Sequence, residues 1–342
     1  MGLLGWLRRS TPKLATDGLS EAVVRETTDY VVRMCDPRIA LLSRYRERLA
    51  PAVVAALRFV QKQREMLGEP VDANVSAWHS TPLLRAIFAT TDEMQQAFGR
   101  STELVEWFAR NPLRDVAVAT LGMVAREQRV LGMALDGELI QRDVVQTTLS
   151  FSDHRTRIFS DSPESLWRGV ARRLVDELAY IALSHFEAEQ TTRKQLEDEL
   201  ALMRARLRAF ERRGTGMDHL AAGRDVPDAV VGRKLLHQLE ENERKLAQMP
   251  GNADLLELRL SMLADTLSHA ESYVHIGRRS LHVDSLNQVF DDASPDTNPI
   301  SFIEVKVDRN PPLERVLVAL RIHRSALQPV GMRLDDAARM LG

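Results

Sequence analysis

The sequence predicts a mainly helical protein, α+β overall. It reads as a multi-helix N-terminal domain with a small β insert, a long coiled-coil-like helix and an antiparallel helical hairpin, then a small antiparallel β tail. Three observations carry this. Apolar residues recur at helical spacing between Ser, Thr or Asp starts and Gly or Pro stops over most of the chain. Three leucine rows in the second half step by 4 and 3, as a helix seam does. Branched residues near 144–151 and alternating apolar residues in the last sixty favour strand. The expected divisions are 1–132 (helical domain), 133–160 (β insert), 161–277 (long helix and hairpin) and 278–342 (β tail of three strands with a short C-terminal helix).

The first helix follows Ser20, an N-cap with Glu21 in the first turn, and runs through "EAVVRETTDYVVRMC". Asp36-Pro37 opens a second, long run that Gly68 stops and Pro51 is expected to kink or divide. Shorter helices follow in "STPLLRAIFA", "TTDEMQQAFG" and "STELVEWFARNP", each opening on Ser or Thr. "PLRDVAVATLGMVAREQRVLG" reads as one more helix.

Asp136-Gly137 then signals a hairpin, and Val144, Val145, Thr147, Thr148 and Phe151 supply strand residues. From Pro163 about fifty residues return to helical spacing, with Leu196, Leu200, Met203, Leu207 and Phe210 forming a seam. After a glycine-rich loop come two more seams: Leu235, Leu239, Asn242, Leu246 and Met249, then Leu256, Leu260, Leu263, Leu267, Ala270 and Val274. Pro250 to Asn252 reads as the tight turn of a helical hairpin between them. The tail alternates apolar and polar residues at Ile303 to Val307 and at Val316 to Ile322, which predicts an antiparallel sheet.

Composition bounds the function. Lys+Arg 46 against Asp+Glu 48 gives a net charge of −2, which argues against a nucleic-acid protein. The basic run Arg204, Arg206, Arg208, Arg212 and Arg213 has no aromatic platform beside it; it complements a helix C-terminus or meets a phosphate backbone or membrane surface. The apolar start, Leu3 to Leu7 with Trp6, is too short to span a bilayer and supports at most a peripheral membrane contact. The single cysteine, Cys35, cannot form an internal disulfide, so a cytoplasmic location is expected.

No phosphate-binding, dinucleotide-binding, zinc-protease or Cys-x-x-Cys spacing occurs. Gly214-Thr215-Gly216 follows a helix rather than a strand, which disfavours a phosphate cradle. Asp265 and His269 share a helix face, but His275 falls on another; Glu177, His185 and Glu189 form a stripe best read as solvated. No metal ligand, cofactor or catalytic residue is therefore assigned.

The densest polar cluster is Arg142, Asp143, Gln146, Thr148 and His154, a candidate ligand site unless it is an edge strand wetting its polar face. The expected function is a non-enzymatic interaction or scaffold protein. It would act through Leu200, Leu207, Leu239, Leu246, Leu260 and Leu267, with a protein partner or with itself. A ligand-sensing or enzymatic protein with its site at 138–157 is the alternative.

Overall fold

The computed structural model describes residues 18–136, 139–214, 226–249 and 252–327, without the side chains of 132–143, 209–232 and 252–253. The elements in chain order begin with α1 (Glu21–Cys35), a 3-10 turn (Pro37–Leu41), α2 (Tyr45–Lys62), α3 (Arg64–Leu67) and β1 (Val71–Ala73). Next come α4 (Val75–Ser80), α5 (Pro82–Ile87), α6 (Thr91–Gly99), α7 (Thr102–Arg110), β2 (Val116–Asp136), β3 (Leu139–Ser160) and α8 (Pro163–Gly214). The last are α9 (Val226–Gln248), α10 (Asn252–Ser268), α11 (Ala270–Tyr273), β4 (Val274–Val283), β5 (Gln288–Phe290), β6 (Asn298–Val307) and β7 (Leu313–His323). No described helix is long and apolar enough to cross a membrane.

The chain divides into two compact units, each built from two separated stretches. One holds Met1–Ala55 with Leu178–Ser268; the other holds Ala56–Glu177 with His269–Gly342.

The first unit is helical. Its core joins Val24, Val31 and Val32 of α1, Leu49 and Val53 of α2, Leu178, Ile181 and Phe186 of α8, and Leu260, Leu263 and Leu267 of α10, all buried. Asp36 ends α1 and caps the 3-10 turn by accepting from the Arg38 backbone N–H at 3.0 Å. The run that begins there is broken before α2, where Arg44 adopts a left-handed φ of 56°. α2 is then continuous through Pro51, so the proline does not divide it. Cys35 is buried with its thiol donating to the Ala179 carbonyl at 3.2 Å. Burial and the neighbouring Asp36 charge push that thiol up to about 12, which keeps it protonated and inert.

The second unit overturns the mainly helical class with a small β tail. Its seven strands form one mixed sheet in the order β1-β7-β2-β3-β5-β4-β6, and β6 pairs back with β7. Six strands therefore close a ring, and β1 runs parallel to β7 at Val71↔Leu320 to Ala73↔Ile322. The tail holds four strands, β4–β7, where three were expected, and they are part of this sheet rather than an appendage: β7 pairs with β2 from Val116↔His323 to Met123↔Val316. The expected helix at 112–132 is strand β2. Ala117, Ala119, Leu121 and Met123 alternate into the core, so its period is 2 there. Its Ala, Leu, Met, Arg and Gln content favours helix locally, and the pairing with a strand two hundred residues away overrides it.

The hairpin is where Asp136-Gly137 puts it, with Asp136 opposite Leu139, but it is the end of a ladder that reaches back to Val118↔Ser160. Three register shifts bend that ladder, the outermost between Gly132 and Met133. Between Val118 and Thr120 and between Gly122 and Val124, β3 spends one residue more than β2, and the extra residues, Ile158 and Asp153, have φ of 53° and 55°. One sheet face carries Leu121, Met123, Ile300, Phe302, Leu320 and Ile322 against α4–α7, through Leu84, Phe88, Phe98 and Phe108. Two of those short helices, α6 and α7, are capped as their sequences predict: the Thr90 hydroxyl accepts from Glu93 N at 3.1 Å and the Ser101 hydroxyl from Leu104 N at 3.3 Å, whereas Thr81 before α5 makes no such bond. The predicted C-terminal helix and the N-terminal apolar stretch lie outside the described residues.

Candidate functional site

The leucine rows belong to the helical unit, and they are used differently from the expected hairpin. Contacts tie both α9 and α10 to α8. Arg204 donates to Glu243 at 2.7 Å, the Asn242 amide donates to Glu199 at 3.3 Å, and the Arg259 guanidinium lies 5.5 Å from the centre of the Phe186 ring. Along α8 these partners fall from 204 and 199 to 186, while the others rise from 242 and 243 to 259. α9 and α10 therefore follow one another antiparallel to α8, instead of folding back on each other at Pro250 to Asn252. The seam read at 196–210 and the seam read at 235–249 are the two sides of this pair.

The base of the pair is finished. Leu260, Leu263 and Leu267 are buried, and an ion pair closes the space between α10 and the end of α1: Arg259 contacts the Asp36 carboxylate, which Arg38 also holds at 2.8 Å. Burial alone would raise the Asp36 carboxyl; hydrogen bonds from Arg38 and Arg259 outweigh it and hold the group at about 2.

Further along, only part of the pair is covered. Leu200 is 2% exposed and Asn242 is buried beside it. Leu207, Leu239 and Leu246 are half-buried, and Leu202 and Leu236, flanking the seam, stand 52% and 44% exposed. Of the six leucines expected to form an interface, Leu200, Leu260 and Leu267 are spent inside the fold. Leu207, Leu239 and Leu246 keep an open side. Leu202 and Leu236 were not singled out because they fall between the steps of 4 and 3; a count of every large apolar residue on the exposed helix flanks would have found them. The arginines expected to meet phosphate are partly engaged here: Arg204 holds Glu243, and Arg208 donates to the Arg204 carbonyl at 3.3 Å. The side chains of Arg212 and Arg213 lie outside the described residues.

The polar cluster of the sequence is spread along β3. The side chains of Arg142 and Asp143 lie outside the described residues. Gln146 stands opposite Val130, and the Thr148 hydroxyl donates to the Gln128 carbonyl at 3.3 Å. His154 is six residues further on, beyond the Asp153 bulge. It stacks on Phe88 with ring centres 4.8 Å apart, and its Nε2 sits 3.2 Å from the Ile87 carbonyl. Burial lowers its pKa, so near neutral pH the ring is uncharged and donates that N–H. At about 3.3 Å per residue, Thr148 and His154 are too far apart to touch one small ligand together. Asp153 is engaged as well, with Arg155 at 2.8 Å and Arg315 at 2.7 Å. No described group of three His, Cys, Asp or Glu side chains is placed to hold a metal.

Compared with known proteins, the chain matches no family model, no curated protein and no solved structure.

Proposed function

We propose that the protein acts by contact rather than catalysis, as an interaction or scaffold protein. Its working surface is the outer part of the α8–α9 pair, and its partner is a second copy of this chain. The observation that supports this is the half-covered row of Leu207, Leu239 and Leu246, flanked by exposed Leu202 and Leu236. Two antiparallel helices hide one stripe of each other and leave the flanks open; a second such pair would complete a four-helix bundle. Burying a leucine fully is worth about 1.5–3 kcal/mol, so five partly open leucines are a substantial incentive to associate. The exposed charges on both helices are mixed in sign, from Arg193 and Glu197 on α8 to Glu241 and Lys245 on α9, so two copies need not repel.

Light scattering across a concentration series tests this. The expected result is a dimer that Leu207→Glu with Leu239→Glu converts to a monomer while the far-ultraviolet circular dichroism stays unchanged. A wild-type chain that is monomeric throughout, or a dimer indifferent to both changes, removes the proposal. Charges at Leu200 or Leu263 are unsuitable for the test, because both are buried in the fold and would unfold it.

A further inference from the structure

The sheet unit has a second face, and its covering is incomplete. Leu166 of α8 is fully buried there against Val118 and Ala319. One turn on, Ile158 presses against α8 so closely that a Cβ on Gly169 would overlap the Ile158 Cγ2. Ile158 is a branched residue in the left-handed region, a costly conformation that persists only where its surroundings impose it. Beside that contact, α8 and α3 do not reach the strands. A cavity of about 170 Å³ remains, walled by Trp167, Val170 and Leu174 on one side and by Val305, Leu313 and Leu317 on the other.

We infer that this cavity binds a small, neutral, apolar molecule, of the size of an aromatic ring or a short alkyl chain. An apolar cavity near 150 Å³ stays dry and accepts benzene, because water there lacks the two to four polar partners it needs. The charged groups at the edge each face an opposite charge, although the Glu177 Oε2 makes no hydrogen bond. Arg157 holds Glu103 at 2.5 Å, Arg173 faces Asp176 at 3.7 Å, and Glu177 faces Arg309 at 3.3 Å. The Thr120 hydroxyl donates to the Arg157 carbonyl at 2.8 Å and the Gln63 amide to the Phe59 carbonyl at 3.3 Å. An ionic ligand would have to break one of these pairs to be recognised; a neutral one gains dispersion with the walls and disturbs none of them.

The test uses the full chain and a matched series: toluene and n-hexanol as neutral probes, hexanoate and hexylammonium as charged ones. Binding is read from Trp167 emission against a Trp167→Phe control and from the thermal midpoint. The neutral probes are expected to bind, each charged analogue at least about tenfold more weakly, a gap that one broken ion pair or stranded charge accounts for. Val170→Phe fills the space and is expected to weaken toluene by the same factor or more. Should that variant not fold, Leu313→Ala enlarges the cavity and is expected to shift preference to an alcohol two or three carbons longer. No saturable toluene or hexanol binding, equal binding of hexanoate or hexylammonium, or probe binding unmoved by the cavity variant would each overturn the inference.

Discussion

Asp36 is the residue on which the helical unit's chemistry turns. Its carboxylate is 6% exposed, its partner Arg259 is 9% exposed, and removing one member of a buried pair strands the other charge. Asp36→Asn is therefore expected to destabilise the protein by about 3–5 kcal/mol, read from the urea midpoint. The same group sets an acid response. Its folded pKa, about 2, lies below the ordinary 3.8. The stability it confers is complete above the unfolded value and is lost as pH falls from about 4 through about 2, an amount of roughly 2 kcal/mol. The gap between wild type and Asp36→Asn should thus narrow by roughly 2 kcal/mol as pH falls from about 4 to about 2. A gap that stays constant over that range would mean that the carboxylate is not the charged partner of Arg259. Cys35, one residue away, is silent in this titration, because its thiol stays neutral until far above neutral pH.

At the level of elements, what could be read from the sequence was what neighbours in the chain decide. The capped short helices at Thr90 and Ser101, the turn beside Asp136, the alternating strands at 303–307 and 316–322 and the leucine seams all rest on local spacing. What local spacing misplaced was each feature set by a distant partner. β2 holds good helix formers and becomes a strand because β7 lies beside it; the seams at 196–210 and 235–249 face each other because α9 runs against α8. The Asp153 and Ile158 bulges had no signal at all, since neither position carries the glycine that φ above zero usually selects. With them went the cavity beside Ile158, whose walls come from five strands and two helices and share no sequence window. The polar cluster was visible as composition, but its spacing along an extended strand could not bring Thr148 to His154.

The outer part of the β2–β3 ladder is a second consequence of that pairing. Beyond Met123 and Leu149 the described strands pair only with each other and with the short β5, which meets Thr147 and Thr148, and the Glu127 carboxylate contacts Arg279 of β4. Leu131 and Val145 there are 69% and 63% exposed. A two-stranded ribbon without a covered face is marginal alone. Replacing Val130 through Gln146 by Asn-Gly, a turn suited to a two-residue hairpin, should change the urea midpoint by no more than about 1 kcal/mol equivalent. A larger fall would place the ribbon in the stabilising core.

For the molecule as a whole, closure of the sheet decides where stability is stored. β7 has β2 along one edge and β6 followed by β1 along the other, so every residue has a neighbouring strand and 316–317 and 320–322 are flanked on both sides. Its side chains Val316, Val318, Leu320 and Ile322 are buried in the core cluster between the sheet and the short helices. Releasing β7 therefore means opening the ring and exposing that cluster, which is global unfolding of the unit. The described part of the ribbon, by contrast, can open at Arg129 to Leu131 and at Val145 without unpairing any third strand except β5. Amide hydrogen exchange should follow this order: β7 amides from Val316 to Ile322 exchange only through global opening, while those of Arg129, Val130, Leu131 and Val145 exchange through local fraying. With a global stability of about 5–15 kcal/mol, the two classes should differ in protection by more than about a thousandfold. Equal protection in β7 and the ribbon would mean that the sheet opens as one body and that the ring closure through β6 confers no special hold on β7.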